Sequence, residues 1–210
     1  MNYCKNLFKT EDGSMSFRIE KLNESYHSKN GAITESQFVY IQEGYSYWNE
    51  TNKKGVCNIF EMGYGTGLNA YLSYLESQKH HSKTYYTSLE LFPLSVKEIA
   101  CLNYDKFFKT QKDILTFENF SKIEWEIGQD LSEHFNLFKK EFDFEKLEEI
   151  KKYDIIFYDA FGYHAQPELW STKNMQKCYD MLFFGGIWIS YCAKGSVRRA
   201  LEKSGFEVER

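Results

Sequence analysis

The chain has 210 residues, a formal net charge of −4 and 18% aromatic residues. This length favours one domain with its own core, and the acidic balance argues against a surface coated with basic residues for nucleic acid. The five cysteines have no CxxC spacing, which argues against a zinc site, and no apolar run is long enough to span a bilayer. We therefore expect a cytoplasmic protein with no metal and no membrane contact.

Residues 1–50 are predicted to form a small β-rich N-terminal extension. The segment FKTEDGSMSFRIE has a glycine-containing turn between two alternating stretches, which is typical of a β-hairpin. A second turn is expected at Asn30-Gly31, and an apolar run follows from Phe38 to Ile41. We interpret the whole stretch from Leu7 to Ile41 as strands and turns.

From residue 51 to residue 210, strand patterns alternate with helix patterns. The predicted strands are VCNIFEM, KTYYTSLEL, KIEWEIG, YDIIFYDAF and GGIWISYCA, and the predicted helices are TGLNAYLSYLESQ, SVKEIACLNYDKFF, PELWSTKNMQKCYDML and GSVRRALEKSG. Ser95 and Glu98 have the spacing of a capping box, and Pro167 suits a helix N-terminus. Apolar strands that alternate with helices predict an α/β fold, an open parallel sheet with helices on both faces.

A glycine-rich loop follows the first strand of this predicted sheet. Gly63, Gly65 and Gly67 lie in NIFEMGYGTGLN, between a strand and a helix. Open α/β sheets bind ligands at the carboxyl ends of their strands, and glycines there allow a ligand to approach the backbone. Dinucleotide sites have the motif G-x-G-x-x-G, whereas Leu68 occupies the place of the third glycine here.

Two acids near this loop bear on the identity of the ligand. Glu61 would repel a pyrophosphate and suits a positively charged ligand, such as S-adenosylmethionine with its sulfonium and ammonium groups. Glu90, at the end of the second strand, has the place of an acid that binds ribose hydroxyls. Glu90 would suit the adenosine of S-adenosylmethionine and that of a nicotinamide dinucleotide equally well. Glu61 therefore favours S-adenosylmethionine, but a nicotinamide cofactor is not excluded.

Three segments together give the chain a family resemblance. They are YHSKNGAITESQFVYIQEG, FEMGYGTGLNAYL followed by SLELFPL, and YDAFGYHAQPELW. The chain resembles the class I S-adenosylmethionine-dependent methyltransferases, with their Rossmann-like sheet. More closely, from about Tyr26 to Arg210, it resembles the methyltransferase domain of the MnmC family and its single-domain relatives, MnmD.

The resemblance implies a substrate and a partner. The family methylates the primary amine of 5-aminomethyl-uridine, or of its 2-thio form, at the wobble position of tRNA. In two-domain members a C-terminal FAD-dependent oxidase makes that amine, and nothing in this sequence resembles that FAD domain. The resemblance therefore implies methyl transfer alone, with S-adenosylmethionine as cofactor and tRNA as partner.

The strand ends and the resemblance together give a set of site residues. Asp159, at the end of the fourth strand, is the candidate catalytic residue, because its carboxylate can accept a hydrogen bond from the amine. The cofactor-binding candidates are Glu61, Gly63, Tyr64, Gly65, Gly67, Asn69, Glu90 and Leu91, with Asp130 and Gln129 as alternatives for the contact to adenine. The substrate-binding candidates are Phe161, Tyr163 and Trp170 as an aromatic platform, and Tyr26 and Ser28 as residues that close over the cofactor.

The chain departs from the family in two places. The family loop D-x-F-x-P-x-K-x-P contains a lysine, which the segment from Gly162 to Gln166 lacks. The chain also ends at GFEVER, where a sixth strand is expected, so the last strands of the fold are expected to be missing. The basic residues Lys194, Arg198, Arg199 and Lys203 form either an RNA contact or a solvated helix face.

Three other functions remain open on the sequence. The first is a class I methyltransferase that acts on another RNA base or on a small-molecule amine. The second is an NAD-dependent dehydrogenase, which binding of S-adenosylhomocysteine without binding of NAD would exclude. The third is a non-catalytic partner protein that retains the pocket, and the presence of Asp159 with the other acids counts against it.

Overall fold

The computed structural model describes residues 3–52, 54–108, 112–148, 150 and 152–209. These residues form a three-stranded sheet near the N-terminus and a six-stranded sheet that is covered by helices. No helix in this described part is long and apolar enough to cross a membrane.

The predicted N-terminal hairpin is confirmed. Strand β1 (Asn6–Lys9) pairs antiparallel with β2 (Met15–Ile19), and the short β3 (Glu24–Ser25) pairs with the other edge of β2. The turn between β1 and β2 is held by Asp12, whose Oδ1 accepts hydrogen bonds from the main-chain N–H of Ser14 at 2.9 Å and from the hydroxyl of Thr10 at 2.7 Å.

The expectation of strands and turns is wrong for the segment that follows. A continuous helical stretch consists of α1 (Ala32–Ser36), a π-helix (Gln37–Ser46) and α2 (Tyr47–Thr51). The apolar run that contains Tyr40 is short, and such a run does not by itself distinguish a strand from a buried helix. The π-helix packs closely on the large sheet at Gly44. A Cβ atom at this position would lie only 3.1 Å from the ring of Phe157.

The large sheet confirms the predicted α/β fold class. Its strands are β4 (Val56–Met62), β5 (Lys83–Glu90), β6 (Gln129–Ser132), β7 (Phe135–Glu141), β8 (Tyr153–Tyr158) and β9 (Leu182–Ile189). They lie in the order β6-β7-β5-β4-β8-β9, and every neighbouring pair is parallel except β6 with β7. The chain passes from β4 to β5 on one side and later returns to β8 on the other, so the sheet has a switch point beside β4, where ligands bind in folds of this kind.

The prediction of the third strand in KIEWEIG is wrong. These residues, 122–128, form no strand, and the parallel neighbour of β5 is β7 instead. Both segments alternate in polarity, but only β7 buries one face, with Phe135, Leu137 and Lys139 inside. Ile127, in the predicted strand, is half exposed.

The other α-helices among the described residues are α3 (Leu68–His80), α4 (Val96–Ile99), α5 (Phe117–Ser121), α6 (Thr172–Met181) and α7 (Gly195–Lys203). The capping box of Ser95 and Glu98 is confirmed, although α4 is a single turn and not the long helix expected. Helix α6 begins after the cap Ser171 and not at Pro167.

The core has one layer on each face of the large sheet. The first layer joins the π-helix and α3 to the sheet, and its aromatic members include Tyr40, Tyr71, Tyr74, Phe120, Phe135 and Phe157. The second layer joins α6 and α7 to the other face, with Phe60, Tyr153, Tyr158 and Trp170 among its members. Most of the abundant aromatic residues are therefore used for packing.

Candidate active site

A cavity of about 930 Å³ lies at the carboxyl ends of β4, β5, β7 and β8. Residues of the N-terminal extension form its remaining wall, including Tyr26, His27 and Ser28. A volume of this size falls in the range of small-molecule sites. The position beside β4 agrees with the sequence expectation.

The glycine loop shapes one side of the cavity. Gly63, Gly65 and Gly67 have φ angles of 93°, 51° and 80°, a left-handed region that other residues rarely adopt. A Cβ atom on Gly63 would lie 2.4 Å from the main-chain oxygen of Asp159, so the loop touches the end of β8. The main-chain N–H groups of Gly63 and Tyr64 both donate to the carbonyl oxygen of Leu89 at 3.0 Å. The loop is thereby fixed between two strand ends.

Glu90 is held in the cavity by the glycine loop. Its Oε2 accepts from the main-chain N–H of Gly65 at 3.0 Å, and its Oε1 accepts from that of Phe92 at 2.9 Å. Each carboxylate oxygen has a second lone pair that remains available. Glu90 can therefore accept further hydrogen bonds from a ligand in the cavity.

Glu61 does not line the cavity, so the prediction that it contacts a cofactor directly is wrong. It is fully buried beneath the loop, where the hydroxyl of Ser88 donates to its Oε2 at 2.6 Å. Its Oε1 has no hydrogen-bond partner among the described residues. Burial raises the pKa of Glu61 to about 8, so the carboxyl group is mostly protonated at neutral pH.

Asp159 lines the cavity at the end of β8. The hydroxyl of Tyr40 donates to its Oδ1 at 2.7 Å, and Nδ2 of Asn69 donates to its Oδ2 at 2.9 Å. The pKa of Asp159 is raised to about 7, mainly by burial and also by the charges of Glu35 and Glu90, while the two hydrogen bonds act in the opposite direction. A carboxylate with a pKa near neutrality is well matched to proton transfer at neutral pH.

The extension contacts the loop that follows Asp159. The rings of Tyr26 and Phe161 meet edge to face at 5.2 Å, and both residues line the cavity as predicted. His27 is buried between Ser16, 3.1 Å from its Nδ1, and Thr66, 3.5 Å from its Nε2. Burial lowers the pKa of His27 to about 4, so the imidazole is neutral.

The two other predicted platform residues do not line the cavity. Trp170 is buried in the core, and its Nε1 donates to the carbonyl oxygen of Phe161 at 2.8 Å. Tyr163 packs against the second core layer, and Nζ of Lys194 lies 3.9 Å from its ring centroid. Trp170 thus supports the loop, and Tyr163 connects it to the start of α7.

The structure places Gln129 and Asp130 away from the cavity, because the third strand was assigned to the wrong segment. Asp130 is exposed on the edge strand β6, where it accepts from Nδ2 of Asn136 at 3.1 Å. The residues that follow β7, the true third parallel strand, line the cavity, and Asp143 is among them. An acid shortly after the alternating run FNLFKKE was the sequence signal for this position.

The remaining predicted residues divide plainly. Those that line the cavity are Gly63, Tyr64, Gly65, Asn69, Glu90, Leu91, Asp159, Phe161, Tyr26 and Ser28. Gly67 lies outside it, as the N-cap of α3. Sequence reasoning missed Glu24, Glu35, Asp143 and Tyr191, which also line it.

The charges of the lining fit a cationic ligand. The acidic residues are Glu24, Glu35, Glu90, Glu141, Asp143, Glu145, Asp159 and Glu168. Lys5, the one lysine among the described residues that line the cavity, is paired with Glu98 at 2.8 Å. Such a wall disfavours a pyrophosphate, so the residues present fit S-adenosylmethionine better than a dinucleotide.

Comparisons with known proteins agree with this reading of the cavity. Residues 132–210 match a family model described as S-adenosyl-L-methionine-dependent methyltransferase. The chain is also similar to the tRNA 5-methylaminomethyl-2-thiouridine biosynthesis bifunctional protein MnmC of two Leptospira species. The match covers 91% of this chain in both cases, with 25% identity in Leptospira borgpetersenii and 27% identity in Leptospira interrogans. The chain spans only 30% and 31% of the length of these relatives.

The crystal structure of MNMC2 from Aquifex aeolicus has the same fold. It matches 98% of this chain with a TM-score of 0.78 and 23% identity, and the match covers 66% of the Aquifex chain. The fold is thus shared with MNMC2, and the C-terminal part of the chain is similar to S-adenosylmethionine-dependent methyltransferases, in agreement with the resemblance seen in the sequence. The chain is similar to about a third of each bifunctional MnmC protein, which confirms the MnmC resemblance seen in the sequence.

Proposed function

We propose that this protein transfers a methyl group from S-adenosylmethionine to the primary amine of 5-aminomethyl-uridine, or of its 2-thio form, at the wobble position of tRNA. The names of the similar proteins support the substrate. The proposal depends on one observation, the placement of Asp159 inside an acidic cavity. Asp159 lies there between the glycine loop and the loop that contains Phe161 and Tyr163, called the aromatic loop below. S-adenosylmethionine supplies an electrophilic methyl group on a positively charged sulfur.

Glu90 and Asp159 have separate roles in this proposal, the first in binding the cofactor and the second in orienting the amine. Glu90 accepts the ribose hydroxyls while its own position is fixed by the N–H groups of Gly65 and Phe92. Asp159 accepts a hydrogen bond from the amine and keeps the nitrogen lone pair directed at the methyl group. Because the reaction is an in-line displacement, most of the rate gain comes from this positioning.

The wobble base is expected to leave the anticodon stack and enter beside Phe161. Recognition of single-stranded RNA bases commonly uses stacking on aromatic side chains. The ring of Tyr26 packs edge to face on that of Phe161, and Nε1 of Trp170 donates a hydrogen bond to the main-chain oxygen of Phe161. These contacts give the base a rigid platform.

The tRNA is proposed to dock along α7. Arg198 and Arg199 lie on this helix and Lys203 ends it, while Lys194 precedes it and contacts the ring of Tyr163. This arrangement places positive charge next to the aromatic loop, on a chain whose net charge is −4. A small number of phosphate contacts is sufficient for local binding. A cytoplasmic location is proposed together with the tRNA substrate.

The alternative with the same fold is a methyltransferase that acts on another RNA base or on a small amine. Its cavity would be the same, so the substrate alone separates the two functions. The deciding experiment is mass analysis of wobble nucleosides from cells that lack this protein. We expect the 5-aminomethyl nucleoside to accumulate at the expense of its methylated form, and an unchanged nucleoside profile would contradict the proposal.

A further inference from the structure

Tyr40 of the π-helix contacts Asp159 without lining the cavity. Its side chain is buried, and its hydroxyl donates to Oδ1 of Asp159 at 2.7 Å. Its ring packs on that of Phe157 in β8, with the two ring centroids 5.2 Å apart. Tyr40 is not one of the described residues that line the cavity, whereas Asp159 is. Any effect of Tyr40 on a bound ligand is therefore expected to pass through Asp159.

The helix that presents Tyr40 has an uncommon backbone. Residues Gln37–Ser46 form a π-helix, and Gly44 lies so close to the sheet that a Cβ atom there would meet the ring of Phe157 at 3.1 Å. π-Helical turns are rare and occur frequently at functional sites. Here the π-helix and Phe157 together hold the side chain of Tyr40 at the end of β8, where Asp159 precedes the aromatic loop.

Asp159 is held at both of its carboxylate oxygens. Oδ1 accepts from the hydroxyl of Tyr40, and Oδ2 accepts from Nδ2 of Asn69 at 2.9 Å. Each oxygen retains a second lone pair for a donor in the cavity. If the hydroxyl of Tyr40 were removed, the hydrogen bond from Asn69 would be the one left among the described residues to fix the carboxylate.

The charged form of Asp159 depends on these hydrogen bonds, because none of the titratable groups that act on it or respond to it among the described residues is a cation. These groups are Glu35 of α1, Tyr40 of the π-helix, Glu61 of β4, Tyr86 and Glu90 of β5, and Tyr191 after β9. The pKa of Asp159 is raised mainly by burial, and of the two hydrogen bonds that lower it the one from Tyr40 has the larger effect. Burial and the charge of Asp159 raise the pKa of Tyr40 itself well above its usual value, so its hydroxyl remains a donor.

We propose that Tyr40 is a positioning residue for methyl transfer, whose hydroxyl fixes the side chain of Asp159 and stabilises its carboxylate as the acceptor for the substrate amine. This inference rests on the proposed function and adds a residue outside the cavity on which that function depends. A buried tyrosine hydroxyl usually has a hydrogen-bond partner for the sake of packing alone. The two roles differ in their pH dependence, because only the positioning role alters the charge of Asp159.

The test uses Tyr40→Phe, which removes the hydroxyl and keeps the ring against Phe157. The matched control is Tyr45→Phe, the same change on the same π-helix, at a buried tyrosine whose hydroxyl pairs with Oγ1 of Thr84 and not with Asp159. Single-turnover methylation of tRNA bearing 5-aminomethyl-uridine is measured from pH 6 to pH 9.5. The ratio of the variant rate to the wild-type rate at each pH cancels the ionisation of the substrate amine, which is common to both proteins.

We expect Tyr40→Phe to react roughly 5- to 50-fold more slowly at pH 7, because loss of a hydrogen bond to a charged group moves the ionisation midpoint of Asp159 upward by roughly one to two pH units. The deficit should shrink toward pH 9.5, where Asp159 is mostly ionised in both proteins. Binding of S-adenosylhomocysteine, measured by calorimetry, should be unchanged, and Tyr45→Phe should behave as the wild type does at every pH. A deficit of the same size at every pH, no deficit at pH 7, or weaker binding of S-adenosylhomocysteine would overturn the inference.

A double variant tests whether Tyr40 acts through Asp159. In the Asp159→Ala background, Tyr40→Phe should cause no further loss of rate, because the residue on which the hydroxyl acts is already absent. A further loss of about 5-fold or more in the double variant would contradict the inference.

Carbon-13 NMR separates a failure of the inference from a failure of the proposed function. In protein labelled at the aspartate carboxyl groups, it follows the ionisation of Asp159 without substrate, and Asp159→Ala identifies the signal. The midpoint should rise in Tyr40→Phe and not in Tyr45→Phe, and an unchanged midpoint would overturn the inference. If the wild-type protein and Tyr45→Phe both fail on this tRNA while the midpoint moves as expected, the proposed function is wrong and the link from Tyr40 to Asp159 stands.

Discussion

Glu24 accepts a hydrogen bond from the main-chain N–H of Gly162 at 2.7 Å, although the two residues are 138 positions apart in the chain. The same carboxylate oxygen lies 3.5 Å from Nδ1 of His164. Since Glu24 belongs to β3, the N-terminal sheet holds the loop that follows Asp159. His164 lies within the loop segment that lacks the family lysine, so this chain fixes the loop by a contact from its own extension.

Removal of the contact between Glu24 and Gly162 is expected to loosen the loop that follows Asp159 without changing cofactor binding. We predict that Glu24→Ala lowers the rate of methyl transfer roughly 10-fold, in line with the loss of a hydrogen bond to a charged group. S-adenosylhomocysteine affinity, measured by calorimetry, should be unchanged. Glu20→Ala is the control, because Glu20 lies just before β3 with a largely exposed side chain. Equal activity of the two variants would show that the loop does not depend on Glu24.

The corrected third strand gives a prediction for the adenine end of the cavity. Asp143 lines the cavity after β7, whereas Asp130 is exposed on the edge strand β6. We predict that Asp143→Ala weakens binding of S-adenosylhomocysteine by about 1.5–3 kcal/mol, the range for a hydrogen bond to a charged group. Asp130→Ala should bind as the wild type does. Calorimetry on both variants decides, and the reverse order of affinities would restore the assignment made from the sequence.

The buried acid beneath the glycine loop predicts a pH dependence of stability. The pKa of Glu61 is raised by burial from 4.5 to about 8, so the folded protein binds this proton more tightly than the unfolded chain does. The resulting stability is fully present below pH 4.5 and is lost as the pH rises toward 8. We therefore expect Glu61→Gln to gain thermal stability relative to the wild type between pH 5 and pH 9.

Thermal unfolding followed at several pH values measures this gain, with Glu43→Gln as an exposed control. The melting temperature of the control should track that of the wild type at each pH. If the difference between Glu61→Gln and the wild type is the same at pH 5 and pH 9, then Glu61 does not bind a proton in this range and its proposed protonated state is wrong.

Charge reversal on α7 is expected to separate tRNA binding from cofactor binding. The double variant Arg198→Glu and Arg199→Glu should weaken tRNA binding and reduce its salt dependence by about one to two phosphate contacts. The control reverses Lys79, near the end of α3, and Lys83, at the start of β5, because the amino ends of the strands lie opposite the cavity. Filter binding at several salt concentrations measures both, and equal tRNA affinity of the two double variants would place the RNA surface elsewhere.

Local patterns were sufficient to predict much of the fold. The glycine loop, β4, β5 and β8 follow from apolar runs with clear turn signals, and their strand ends located Asp159 and Glu90 correctly at the cavity. The third strand was misplaced because KIEWEIG and FNLFKKE both alternate in polarity. Only packing against the sheet, which buries Phe135 and Leu137, distinguishes them.

The contacts that Glu24 and Glu35 make at the cavity could not be predicted for a different reason. Glu24 and Glu35 reach the cavity only because the N-terminal sheet and α1 fold over the strand ends of a distant segment. Tertiary packing of this kind leaves no local pattern in the sequence. The helical segment from Ala32 to Thr51 shows the same limit, since its apolar run of Phe38 to Ile41 reads equally well as a strand.

The central claim is that Asp159 positions a primary amine of tRNA for methyl transfer, and single-turnover transfer of labelled methyl groups tests it most directly. The wild-type protein should methylate tRNA that bears 5-aminomethyl-uridine and leave the unmodified tRNA unlabelled, because unmodified uridine has no amine at C5. Asp159→Ala should still fold and bind S-adenosylhomocysteine, yet react roughly 10²- to 10⁴-fold more slowly, the range for a positioned acid–base group. Labelling of the unmodified tRNA, or a variant that retains most of the wild-type rate, would contradict the account.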